Sequence, residues 1–167
     1  MEKKKQKIFI ILGSQKFQFN RLLKMVDDLI IQGVIQDEVF AQSGYSDYIP
    51  KCYAYRQFLD REEFAQIESN ADIIITHGGT GAIIGAIKNG KKVIAVPRLA
   101  KYGEHVDDHQ LQLIAQFRNQ NLILEINNCR ELEEALKSIN KITFNNYQSN
   151  TKKYLEYIKQ YIKDIEK

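Results

Sequence analysis

Continuous apolar runs alternate with helically spaced segments along the whole chain. Lys7-Ile8-Phe9-Ile10-Ile11-Leu12 leads into Gly13-Ser14, the pattern of a strand buried on both faces that runs into a tight loop. From Phe19 to Ile31 the apolar residues Leu22, Leu23, Val26, Leu29 and Ile30 follow a helical period, and Gly33 closes the helix. Glu38 to Ala41 reads as a short strand before the Gly44 turn. Cys52 to Phe58, rich in Tyr and Phe, reads as another. Asp60, with Glu63 three residues on, has the form of an N-cap for a helix reaching about Asn70.

Ala71-Asp72-Ile73-Ile74-Ile75-Thr76 is the next buried strand, and His77-Gly78-Gly79-Thr80-Gly81 its loop. Ala82 to Asn89 is a helix of small residues ending at Gly90. Lys92 to Val96 is a strand stopped by Pro97. This βαβ unit implies parallel strands with a right-handed crossover. A helix from about Asp107 to Gln120, a strand from Leu122 to Ile126 and a helix from Arg130 to Ile139 follow. The alternation predicts an α/β fold, a Rossmann-like, doubly wound and mostly parallel sheet. The tail from Thr151 to Ile165 carries Leu155, Ile158, Ile162 and Ile165 on one face, with Tyr154, Tyr157 and Tyr161 beside it. That is an amphipathic helix, which either packs back on its own sheet or docks a partner.

Composition narrows the class. The 167 residues fit a single domain, 1–167, with a core at about 7–140. At 44% hydrophobic and 27% charged the chain is globular rather than disordered. A net charge of +3 does not call for nucleic acid. Much of the excess sits in Lys3, Lys4, Lys5 and Lys7, which reads as a solvated run or a weak attraction to an anionic membrane. Cys52 and Cys129 form neither a disulfide framework nor a metal knuckle, so a reducing, cytoplasmic setting is expected. No apolar stretch reaches membrane-span length.

The candidate chemistry begins at the glycine loop. Helix N-termini present unpaired N–H groups and the positive end of the dipole, so they attract phosphate. Glycines at Gly78, Gly79 and Gly81 let backbone approach an anion closely, and Thr80 adds a hydroxyl. Two better-known phosphate motifs fail. Gly85 to Lys92 approaches a Walker A pattern, but Lys92 replaces the hydroxyl residue and the match ends a helix instead of opening one. A dinucleotide fingerprint needs glycines after the first strand, where only Gly13-Ser14-Gln15-Lys16-Phe17 stands, so no nicotinamide cofactor is expected.

A second cluster, Glu104-His105-Val106-Asp107-Asp108-His109-Gln110, follows the strand that ends at Pro97. His105 and His109 have the spacing of two metal ligands on a helix. Val106 stands where a zinc protease has its Glu, and no third ligand stands out, so no metal is expected. Asp107 or Asp108 would cap the helix. Asp108, His109 and Gln110 would hydrogen-bond a hydroxyl-rich ligand.

In combination, Thr76-His77-Gly78-Gly79-Thr80-Gly81 and Asp108-His109-Gln110, separated by Gly90 and the Val96-Pro97 strand end, resemble the glycosyltransferase family 28 C-terminal domain. The nearer likeness is to the stand-alone subunits of split glycosyltransferases. These include the catalytic subunit of the eukaryotic UDP-GlcNAc transferase and bacterial exopolysaccharide and capsule subunits of the PssE-like or EpsF-like kind. Tyr102 to Gln110, and Leu12-Gly13-Ser14-Gln15 with Phe17, Phe19, Arg21 and Leu22, suit the bacterial group.

The resemblance implies the C-terminal, donor-binding half of a GT-B enzyme. It implies a UDP-sugar donor, a lipid-linked saccharide acceptor and a membrane-anchored partner subunit that supplies the acceptor-side half. The chain itself would lie at the inner face of the membrane through that partner. Gly13, Ser14 and Gln15 would line the cleft, and Gly78, Gly79, Thr80 and Gly81 would hold the diphosphate. Backbone at Phe58 and Leu59 would meet the uracil, and Glu104, Asp108, His109 and Gln110 the donor sugar. The peptidoglycan member of the family clamps the ribose with a glutamate where Gly85 stands here, so that clamp is unassigned. His77 and His105 are the candidate bases in this chain, with the partner as the other source. The alternative is a non-catalytic nucleotide-sugar-binding or enhancer subunit.

Overall fold

The computed structural model describes residues 5–165. Lys3 and Lys4 of the basic run, and residues 166–167, lie outside the described residues. Six strands form one sheet: β1 (Lys7–Ile11), β2 (Glu38–Gln42), β3 (Ala54–Arg56), β4 (Ile73–His77), β5 (Lys92–Val96) and β6 (Leu124–Glu125). Their order is β3-β2-β1-β4-β5-β6, and every pairing is parallel. The helices are α1 (Asn20–Ile31), α2 (Arg61–Asn70), α3 (Thr80–Lys88), α4 (His109–Asn119), α5 (Leu132–Ser138) and α6 (Thr151–Ile165). The expected doubly wound α/β fold is observed.

Each face of the sheet has its own core, because successive strand residues point to opposite sides. Ile8 and Ile10 join Leu22, Leu23, Val26, Leu132 and Ile139 on one side. Phe9 and Ile11 join Ile74, Ile83, Ala86 and Ile114 on the other. Both faces of β1 and β4 are covered, which is why these strands read as unbroken apolar runs.

Several boundaries differ from the sequence reading. β3 keeps only the middle of the expected Cys52–Phe58 strand, with all of its residues exposed at the sheet edge. β6 shrinks to two residues. Asp60 does cap α2, its carboxylate accepting from Glu62 N and Glu63 N. Glu63 does not return the bond to close a capping box; it pairs with Arg56 at 2.7 Å. α6 does not pack on the sheet. Every residue from Thr151 to Ile165 is exposed, so the first reading of the tail is overturned. Among the described residues no helix is long and apolar enough to cross a membrane.

A buried carboxylate organises the segment between β2 and β3. Asp27 on α1 is 1% exposed. It accepts from Tyr48 Oη, Lys51 N and Cys52 N, each at 2.8 Å. Burial alone would raise its pKa, but these donors outweigh burial and hold it below the ordinary value.

Candidate functional site

The strand order turns at β1 and β4, the topological switch point, and open α/β sheets bind ligands outside the carboxyl ends of their strands there. The loops that leave β1, β4 and β5 converge at this edge. Gly13 opens the first with φ +71°, a left-handed conformation that favours glycine. A Cβ there would lie 2.6 Å from His77 Nε2. Gly44, after β2, packs on Gly13, since a Cβ on it would approach the Gly13 carbonyl to 2.7 Å.

The glycine loop is shorter than the sequence suggested. His77 is the last residue of β4, Gly79 is the N-cap of α3, and Thr80 and Gly81 already belong to its first turn. Gly79 brings no capping side chain, and no acidic residue occupies that turn. The helix therefore leaves its first N–H groups and its positive dipole end open beside exposed Thr80 and Gly81.

His77 lies beneath this loop, 6% exposed. A Cβ on Gly79 would overlap its imidazole outright. Gln110, 2% exposed, locks the arrangement. Its Oε1 accepts from Gly78 N at 3.0 Å and from Arg98 N at 3.1 Å. The amide orientation is thereby set, and Nε2 faces His77 Nδ1 at 3.4 Å. His77 Nδ1 is then the accepting nitrogen, and the ring proton sits on Nε2, against Gly13. Burial, with the Arg98 charge adding to it, pulls the His77 pKa down to about 3, against the lift from Gln110. The ring is a neutral donor at physiological pH.

The cluster after β5 divides into inward and outward residues. Glu104 is 1% exposed. Its Oε1 pairs with Arg21 Nε at 2.6 Å and its Oε2 accepts from Leu99 N at 3.0 Å. Both oxygens are engaged within the fold, so any effect of Glu104 on a ligand is indirect. Gln110 likewise turns inward. Asp108 and His109 stay exposed. Asp108 precedes α4, but its carboxylate accepts from Ala100 N at 2.8 Å instead of capping the helix. Asp107, one residue before that N-cap position, accepts from His109 N at 3.1 Å.

Asp107 is also the third donor that the spacing of His105 and His109 did not reveal. Its Oδ1 lies 3.2 Å from His105 Nδ1 and contacts His109 Nδ1. The three ligand atoms fall within 4.8 Å of one another, a group with the composition to hold a divalent cation. The two histidines first lower the Asp107 pKa, His109 most through its hydrogen bond. His105 meets Phe17 of the β1 loop in a tilted ring contact at 5.0 Å.

Ser14 and Gln15 are exposed at the same edge. Phe58 is exposed too and meets Tyr45 edge-on at 5.3 Å, a platform in which Tyr45 was not foreseen. Leu59 N–H is already given to Gln42 Oε1 at 3.2 Å. A Cβ on Gly85 would lie 3.7 Å from Glu68 Oε1. A groove of about 410 Å³, lined by Gln18, Arg21, Tyr102, Glu104, Asn128 and Arg130 among others, flanks the site.

The profile of the glycosyltransferase family 28 C-terminal domain matches residues 7–166. The chain belongs to this family. It is 29% identical over 112 residues to the UDP-N-acetylglucosamine transferase subunit ALG13 of Candida glabrata, covering 65% of this chain and 52% of that protein. It is 31% identical over 119 residues to the UDP-N-acetylglucosamine--N-acetylmuramyl-(pentapeptide) pyrophosphoryl-undecaprenol N-acetylglucosamine transferase of Borreliella burgdorferi, covering 68% of this chain and 32% of that protein. The family chain thus spans about half, or less, of these curated relatives. The NMR structure of ALG13 superposes with a TM-score of 0.58 at 15% identity, over 92% of this chain and 94% of that one. The calicheamicin glycosyltransferase CalG4 superposes with a TM-score of 0.61 at 15% identity, over 81% of this chain and 34% of that one. At these identities the likeness is one of fold, that of one half of a GT-B glycosyltransferase.

Proposed function

We propose that this chain is the donor-binding, catalytic subunit of an inverting two-component glycosyltransferase. It would transfer a hexose from a UDP-sugar to a lipid-linked saccharide in exopolysaccharide or capsule synthesis. The observation that carries the reading is the open N-terminus of α3 at the switch point, uncapped by any side chain and backed by the His77 Nε2–H.

In this reaction the acceptor oxygen bonds to the anomeric carbon as the bond from that carbon to the diphosphate oxygen breaks. Negative charge grows on departing UDP. N–H groups of the first turn of α3, with the Thr80 hydroxyl, would stabilise that charge without rearranging. Asp108 and His109, exposed at the start of α4, would face the sugar hydroxyls. Tyr45 and Phe58 offer an aromatic surface for the uracil. The chemistry calls on no cofactor.

Deprotonation of the acceptor hydroxyl needs a base. His77 is buried and too weakly basic to take that proton, and the His105 side chain, 6% exposed, is largely covered as well. We therefore assign the base to the acceptor-side half, carried by a membrane-anchored partner that also holds this chain at the inner face of the membrane. A subunit name on ALG13 and a polyprenyl acceptor in the name of the Borreliella relative support a two-part enzyme acting on a lipid.

The test is sugar transfer from a UDP-sugar panel to a lipid-linked acceptor, with and without the partner. Transfer only by the pair, abolished by Thr80→Ala or His109→Ala, supports the proposal. Full activity from the isolated chain contradicts the two-component assignment. Activity of the pair that survives both substitutions makes this chain a non-catalytic, sugar-nucleotide-binding subunit.

A further inference from the structure

Arg98 is a fully buried side chain, 0% exposed, in the loop that leaves β5. Nη2 donates to the Leu12 carbonyl at 2.6 Å. Nε and Nη1 have no hydrogen-bond partner among the described residues. The Phe19 ring lies 5.6 Å from the guanidinium carbon. A charge taken out of water with at least three of its five N–H donors unused is costly to keep. The surroundings nevertheless keep it: burial pulls the pKa down, Glu104 pushes it back, and the result, about 10, leaves Arg98 protonated at neutral pH.

Glu104 does not cancel that charge, because its Oε1 is paired with Arg21 at 2.6 Å. The wall of the site therefore holds two guanidiniums and one carboxylate, leaving one positive charge without a counter-charge. Its place is directly behind the glycine loop. Leu12, which it grips, precedes Gly13. The Gln110 oxygen that accepts from Arg98 N also accepts from Gly78 N. His77, whose proton affinity Arg98 lowers, touches both Gly13 and Gly79.

We propose that Arg98 is a positioning residue of an anion site. It clasps the Leu12-Gly13 turn and supplies the uncompensated charge that a ligand diphosphate neutralises without touching it. A charge behind a low-dielectric wall is screened less than one in water, so it acts more strongly across several ångströms. The inference rests on the reading that the glycine loop takes a nucleoside diphosphate, and it adds a residue that neither loop geometry nor contact with the ligand would reveal.

The experiment compares UDP with uridine, which lacks the charge, by titration into the isotope-labelled chain. Wild type, Arg98→Met and Arg98→Lys are each checked for folding by circular dichroism. Arg98→Met should lose about tenfold or more in UDP affinity while uridine affinity changes little, and Arg98→Lys should recover most of the preference for UDP. Equal weakening of both ligands in Arg98→Met would mean a purely structural role and overturn the proposal, as would unchanged UDP affinity. If Arg98→Met does not fold, Glu104→Gln serves instead. Removing that carboxylate should raise the preference for UDP over uridine, and a preference that stays the same or falls overturns the proposal. Wild type that binds no UDP defeats the donor-site reading itself, and this inference with it.

Discussion

The Gln110 side-chain oxygen stands 3.0 Å from the Gly78 nitrogen and joins the start of α4 to the loop after β4. The same oxygen accepts from Arg98 N, so one buried amide serves two backbone donors from different strands' loops. Gln110→Ala should orphan both N–H groups. At about 1–3 kcal/mol for each of the two buried unsatisfied donors, a loss of roughly 2–6 kcal/mol is expected in urea unfolding. A loss within experimental error would show that the strap does not hold the loop.

The fit of His77 under the glycines predicts a coupled pair of substitutions. Gly79→Ala drives a methyl into the imidazole and should cost about 1–3 kcal/mol, the usual range for overpacking. Adding His77→Ala removes the obstacle, so the double variant should be more stable than the sum of the two single losses. Strict additivity of the melting shifts would contradict the contact.

Acid sensitivity follows from the same residue. The folded His77 binds its proton only near pH 3, whereas the unfolded side chain does so near 6.5. Between those values the unfolded chain holds a proton that the folded chain lacks. Stability is therefore complete above about pH 6.5 and declines as pH falls toward 3, by up to about tenfold in the unfolding constant per pH unit. The Asp27 carboxylate, held low by its donors, adds its own loss only below the ordinary value of 3.8. His77→Gln should flatten the slope between about pH 4 and 6.5 in a series of urea midpoints. A slope equal to that of wild type would contradict the burial of a neutral imidazole.

The terminal helix is a test of independence. Since residues 151–165 are exposed throughout, truncation after Asn150 should leave the melting temperature nearly unchanged. The apolar face of Tyr154, Ile158 and Ile162 would then matter for association alone, read by loss of co-purification with the partner. A large drop in melting temperature would mean that the helix packs on the domain after all.

Much of this was legible in the chain. β1 and the βαβ unit from Ala71 to Val96 stood out because strands covered on both faces need unbroken apolar runs. The sequence pattern puts the start of α3 at Ala82, two residues late, because Gly79 and Gly81 read as loop although glycine is tolerated at the cap and in the first turn. Gln110 reads as a ligand contact, yet it shares the inward face of α4 with Ile114, four residues on, and that spacing is the signal of its burial. Arg98 gave no signal at all. A charged residue after a strand reads as solvated loop, and its burial depends on Leu12 and Phe19, which are distant in sequence, as well as on Glu104 in the following loop. Asp107 does not stand out in the sequence as a metal-type donor because it lies between the two histidines instead of a helical turn away.

The most direct test of the account is a titration of UDP into the isotope-labelled chain, read at each backbone amide. The account predicts saturable shifts concentrated at Gly13, Gly78, Gly79, Thr80, Gly81 and His109, along the carboxyl edge of the sheet. Shifts confined to the opposite edge around Lys7, Gln66 and Asn70, where a cavity of about 320 Å³ lies, would contradict it, as would no saturable shift at all.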